Sequence, residues 1–291
     1  MTVSAVARGL ALVAAVGFLH QAPPGYGGAA WAMDAKQVTA LRVNIAGRQR
    51  LLSQRVLASA CLSARGIDAE RQARVLTEAG ASFVSALDRL ENGSVADGLP
   101  PMEDQITLVT LGTQRSAWTG LSAAVLQAEG GDAAALAQLP TAAAEVLRTA
   151  LSTVQSMALT GTTGEQELAR YVDLAGRQRM LSQRMVANSC LVSAGIGGAE
   201  LQQRIADDVA EFDANLGRLA EGDPATGIVA APSLHMLMAL DALAPWWQPV
   251  RAAALQAASG TLDPAALEAM AAGYETLLER LEETVWLAGE M

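Results

Sequence analysis

Arginine and glycine recur in this chain in a pattern suited to holding a small anion. Ala46 to Arg55 reads AGRQRLLSQR, and Ala175 to Arg184 reads AGRQRMLSQR, with nine of ten positions identical at an offset of 129. Each copy carries three arginines: Arg48, Arg50 and Arg55 in the first, Arg177, Arg179 and Arg184 in the second. Guanidinium is planar and forked, so it suits planar oxyanions such as nitrate, nitrite or a carboxylate. The chain has a formal net charge of −10, so such a site must be cationic against the global field.

The elements that carry these residues decide which arginine matters. In a helix turning about 100° per residue, Arg48 and Arg55 lie within about 20° of each other, and Arg50 points roughly 160° away from them. Arg50 shares its face with Val43, Ala46, Gly47, Gln54, Leu57 and Cys61. Arg179 shares its own with Val172, Ala175, Gly176, Gln183, Val186 and Cys190. Both surfaces are small and apolar, as helix contacts are. A mid-helix Gly costs about 1 kcal/mol relative to Ala, so a Gly kept in both copies points to close approach by a backbone or a ligand. If the two helices pack about a pseudo-two-fold axis, Arg50 faces Arg179. At a separation of about 6 Å they repel by roughly 3 kcal/mol at an effective dielectric of about 20. An anion between them relieves that repulsion, and Gly47 and Gly176 leave the room. The plainer reading of any such arginine is an ordinary ion pair. Arg48, Arg55, Arg177 and Arg184 are expected to be of this kind, paired with carboxylates on neighbouring helices or fixing the helix pair.

The repeat extends past the motif. Phe83 matches Phe212, Arg89-Leu90 matches Arg218-Leu219, and Trp118 matches Trp247 at the same offset. A period this long marks a duplicated domain rather than a solenoid. Gly161-Thr162-Thr163-Gly164 reads as the linker, giving domains over 33–160 and 165–291. Helices are expected over 35–64, 68–90 (with Asp68 as N-cap), 102–129 and 140–159 in the first half. In the second half they are expected over 165–194, 199–220, 232–258 (kinked by Pro245 and Pro249) and 264–289. Short connections between long helices make antiparallel neighbours. The fold class is therefore all-α, two tandem up-down four-helix bundles forming a pseudo-dimer.

The composition bounds the rest. Of 291 residues, 51% are hydrophobic, ample for two cores, and the acidic balance argues against nucleic acid as a partner. Arg8 followed by the apolar run Gly9 to Leu19 and the Ala30-Trp31-Ala32 site reads as a signal peptide over 1–32. The run is about half the ~20 residues of a membrane span. A periplasmic or secreted chain is expected, the alternative being an inner-membrane anchor formed by an uncleaved segment.

GRQRLLSQR and GRQRMLSQRM resemble the sensing motif of the PilJ/NarX-like N-terminal domain family, which is found in nitrate/nitrite sensor kinases and type IV pili methyl-accepting receptors. The pattern G-x-x-R-M-x-S-x-R of the nitrate sensors falls on Gly47, Arg50, Ser53 and Arg55, and on Gly176, Arg179, Met180, Ser182 and Arg184. Leu51 stands where Met is usual. The resemblance implies periplasmic four-helix sensor modules in two tandem copies. It also implies that Arg50 and Arg179 are the ligand arginines, with one chain carrying both half-sites of a family dimer. Ser53, Ser182, Gln54, Gln183, Arg55 and Arg184 would support them.

Two further expectations concern chemistry. Cys61 lies about three turns beyond Arg50 on the same face; Cys61 and Cys190 either meet across the axis as a disulfide or are small buried apolar residues. There is no clustered Cys/His metal site, no P-loop or Rossmann fingerprint and no nucleophile–base pair, so neither a cofactor nor an enzyme activity is expected. The leading reading is a nitrate- or nitrite-sensing module without its own output domain, signalling through a membrane receptor, kinase or transporter. The alternative is a structural or interaction module whose repeated motif only locks the two bundles together, with Arg50 and Arg179 buried against carboxylates.

Overall fold

The computed structural model describes residues 33–128, 132–158 and 163–289. The expected signal peptide lies outside the described residues, as do Gly130, Gly131 and the first half of the expected linker.

The chain folds into helices α1 (Ala35–Ala64), α2 (Ala69–Asn92), α3 (Gln105–Ala128), α4 (Ala133–Leu136), α5 (Leu139–Ala158), α6 (Thr163–Ser193), α7 (Gly198–Glu221), α8 (Leu234–Asp241), α9 (Ala244–Ala258) and α10 (Pro264–Gly289). The first bundle is α1, α2, α3 and α5; the second is α6, α7, α9 and α10, with α8 against α10. A capping box starts α1: Gln37 N–H donates to Asp34 Oδ1 at 2.8 Å, and Asp34 N–H donates to Gln37 Oε1 at 3.2 Å. At the end of α2, Gly93 has φ +77, and a Cβ there would stand 2.6 Å from the Leu99 carbonyl oxygen. Its counterpart Gly222, φ +82, meets Ala230 N at 2.8 Å, so both tight turns demand glycine.

The two bundles are joined along α1 and α6, which run parallel and in register. From Ile45 to Leu62 every residue of α1 is buried except Arg48 and Arg55; from Ala175 to Leu191 of α6 the exceptions are Arg177 and Arg184. Each helix has its own bundle on one side and its twin on the other, so it is buried all round rather than along one stripe. Equivalent bonds fix each to the rest of its bundle. Gln49 Nε2 donates to the Phe83 carbonyl at 3.0 Å, and Gln178 Nε2 to that of Phe212 at 2.9 Å. Phe83 stacks on Trp118 and Phe212 on Trp247, both with centroids 4.0 Å apart.

Three expectations are corrected. Asp68 does not cap α2 with its side chain: its backbone is left-handed (φ 47) and its carboxylate instead forms an ion pair with Arg71, 2.6 Å away. Gly197 holds the same left-handed place before α7. The helix expected over 232–258 is two helices, broken at Ala242 and Leu243. Pro245 then sits in the first turn of α9, where its missing N–H costs nothing, and Pro249 lies inside that helix. The third helix of the first half starts at Gln105 rather than 102, because Asp104 accepts from Thr107 N–H at 2.7 Å and caps it there. Among the described residues, no helix is long and apolar enough to cross a membrane.

Candidate functional site

Helices α1 and α6 bring the two repeated motifs together at the middle of their shared seam. Arg50 and Arg179 are each only 1% exposed. Their partners come from across the seam. Arg50 Nη2 donates to Asp173 Oδ1 at 2.5 Å, and Arg179 Nη2 donates to Asn44 Oδ1 at 2.9 Å. Asn44 and Asp173 are the same repeat position, so the crossing is pseudo-symmetric while the charge is not. Arg179 Nη1 also donates to Glu282 Oε2 of α10 at 2.5 Å. Arg48, half-exposed, approaches the other oxygen of Glu282 at 3.8 Å.

The two guanidinium groups are not bare: each has a carboxylate partner, Asp173 for Arg50 and Glu282 for Arg179. Asp173 and Glu282 are about one-third exposed, 32% and 33%, and form the solvent side of the cluster over the buried arginines. The glycines also act differently. A Cβ on Gly47 would stand 3.1 Å from Arg50 Nη2, and one on Gly176 3.3 Å from Arg179 Nη2 and 3.9 Å from Arg50 Nη2. The space they leave is filled by the arginines themselves, folding back over their own helices, and a side chain at position 176 would meet both. Burial holds the Arg179 guanidinium below its ordinary value; the charges of Arg48 and Arg50 act the same way, and Glu282 opposes them. Three cations share two carboxylates here.

The remaining motif residues are placed around this cluster. Ser53 Oγ donates to the Arg50 carbonyl and Ser182 Oγ to that of Arg179, both at 2.8 Å. Gln54 and Gln183 donate to those hydroxyls. These four brace their own helices and bond neither guanidinium. Arg55 pairs with Glu275 at 2.5 Å. Arg184 is held by Asp208 through two bonds of 2.9 and 2.5 Å. Burial pushes the Asp208 carboxyl up despite them. Arg177 pairs with Glu211. Below the cluster, Cys61 and Cys190 are joined as a disulfide, with Cα atoms 6.1 Å apart.

The sequence reading missed Asp173, Asn44, Glu282 and the glutamines Gln49 and Gln178. The glutamines stood inside the identical motif. The Asn44/Asp173 difference stands in the sequence at the repeat offset of 129. Nothing marked Glu282. Among the described residues, no group of acidic, Cys and His side chains is arranged to hold a metal ion.

Fold and seam define a duplicated helical module whose two copies meet through one repeated arginine motif. Residues 31–149 and 162–273 match the family described as type IV pili methyl-accepting chemotaxis transducer N-term, PilJ. The chain belongs to this family, in two tandem copies, and the family is one of sensor domains of chemotaxis transducers rather than of catalysts. No curated protein matches the chain, and no solved structure does.

Proposed function

We propose that the chain is a periplasmic sensing module for a small planar oxyanion, nitrate or nitrite first, held by Arg50 and Arg179. On this reading a leader over 1–32 is removed, and the units 33–160 and 165–291 each supply half of the site. The signal passes to a membrane receptor, kinase or transporter. The observation that carries the proposal is the cluster where α1, α6 and α10 meet: buried Arg50 and Arg179 with half-exposed Arg48, against two partly exposed carboxylates, Asp173 and Glu282. The guanidinium groups outnumber the carboxylates by one, which favours an anion over a cation as the ligand. The disulfide supports an oxidising compartment.

Asp173 and Glu282 act as tethered competitors on this reading. An incoming anion displaces a carboxylate that crosses the seam, and the pairing between α1 and α6 changes with it. A ligand that exchanges cross-seam contacts in this way shifts two packed helices against each other.

The test is a thermal-shift titration with nitrate, nitrite, chloride, sulfate and acetate at constant ionic strength. The expected result is saturable stabilisation by nitrate or nitrite alone, about 2.7 kcal/mol at a hundredfold excess over the dissociation constant. It is lost in Arg50→Ala and in Arg179→Ala, with helical content retained. If both variants respond as the parent does, the site assignment is wrong. The second reading, a structural clamp, is favoured by the ion pairs that already engage both arginines. It predicts no selective anion response and severe unfolding of the same variants.

A further inference from the structure

The duplication is broken beside the central helix pair, on one flank only. On one flank α10 crosses onto the other bundle and fills the space. Tyr274 is fully buried there, its hydroxyl donating to Gln72 Oε1 at 3.3 Å and interacting with Ser59. Arg71 lies over its ring, 6.0 Å from the centroid, and Arg55 takes the neighbouring Glu275.

The offset of 129 carries Arg55, Ser59 and Gln72 to Arg184, Asn188 and Leu201. On that second flank no tyrosine enters. Instead α5 presents Ala144 and Leu147, and with Leu57 of α1 these residues line a cleft of about 480 Å³, the size of a small-molecule site. Asn188 lines it, is only 3% exposed, and its Nδ2 donates to nothing. Gln72 Nε2 on the filled flank also lacks a partner, but it is enclosed, whereas Asn188 opens onto a cleft that could supply one. Asn188 stands where Ser59 meets the Tyr274 phenol.

The charges differ in a way that specifies the occupant. Arg55 needs the Glu275 carboxylate because Ala79 stands at the repeat position of Asp208. Arg184 already has Asp208 through two bonds. What the open flank lacks, relative to the filled one, is a ring and a hydroxyl, not a charge. The charged groups of the cleft are already matched, Arg184 by Asp208 behind it and Arg204 by Glu200, so neither an added carboxylate nor an added cation is called for.

We propose that this cleft binds a neutral aromatic alcohol of the phenol class, its ring against Leu57, Leu147 and Leu201 and its oxygen accepting a hydrogen bond from Asn188. The site is separate from the anion cluster and does not depend on that reading.

The test is calorimetric titration of the whole chain with phenol, 4-methylphenol, cyclohexanol and benzoate. Saturable one-to-one binding of the two phenols is expected, tighter than either control. Asn188→Leu should weaken it by about tenfold, the equivalent of losing one hydrogen bond. Ala144→Trp should abolish it by filling the cleft; Ala144 is exposed, so the core is left intact. Tyr274→Phe, on the filled flank, should change nothing. Absence of saturable phenol binding overturns the proposal. So does binding unaffected by both cleft substitutions, or cyclohexanol or benzoate binding as tightly as phenol.

Discussion

Asn44 and Asp173 hold the same place in the two copies, yet they give Arg179 and Arg50 partners of different charge. The amide is a weaker acceptor than the carboxylate by about 1 kcal/mol. Asp173→Asn therefore keeps the geometry of the Arg50 contact and removes its charge. Without anion the variant should be less stable by about 1 kcal/mol, while its affinity for nitrate should rise by about tenfold, because a tethered competitor is gone. Thermal shifts with and without nitrate measure both; a loss of stability with no gain in affinity would favour the clamp. Tyr171 offers a separate check on packing at this scale. It is fully buried, its hydroxyl donates to the Leu219 carbonyl at 2.7 Å, and burial pushes its pKa up to about 12. An acid whose folded pKa is raised gives stability that is whole below the unfolded value, about 10, and is lost as pH rises through about 12. Two units correspond to about 3 kcal/mol. Tyr171→Phe should cost about 1 kcal/mol at neutral pH and flatten the decline between about pH 10 and 12. Urea unfolding at each pH reads this; a decline as steep as the parent's would mean that other groups cause it. Tyr274, also raised by burial, keeps the decline from vanishing.

At the scale of elements, much was legible because helix periodicity and the repeat are both carried by the chain itself. The span of α1 followed from its pattern, and the face holding Arg50, Gly47 and Cys61 followed from the helical turn. The partners of that face did not, because they depend on docking between elements. Glu282 is one of several acidic residues along α10, and only the angle at which α10 meets α6 selects it for Arg179. Asp68 was misread for a related reason: the sharp turn before α2 puts its backbone in the left-handed region, and Asp tolerates this better than most residues. The disulfide is the strongest constraint between elements, since it closes a separation of 129 residues. In the chain-entropy account a loop of that length is worth about 5 kcal/mol. Cys61→Ala with Cys190→Ala should lower the urea midpoint accordingly, and reducing the parent should bring it to the same value. A double variant as stable as the oxidised parent would show that the link contributes nothing.

For the whole molecule, the order of contacts along the α1–α6 seam sets where movement is permitted. The disulfide lies near the C-terminal ends of both helices, and the ion cluster lies about 16 Å before it at 1.5 Å per residue. The N-terminal turns have no covalent link. An anion that replaces Asp173 or Glu282 loosens the seam at the cluster but not at Cys61 and Cys190. Displacement should therefore grow toward the N-terminal ends, with the disulfide as pivot. Gln37 and Glu167 are exposed near those ends, and Arg65 and Ser193 flank the pivot. Spin labels on unnatural side chains at each pair report the two distances without disturbing the cysteines. Saturating nitrate should change the Gln37–Glu167 distance and leave Arg65–Ser193 fixed. In Arg50→Ala neither should respond. Equal changes at both pairs would mean that the bundles separate as rigid bodies, and no change at either would leave the seam a static clamp.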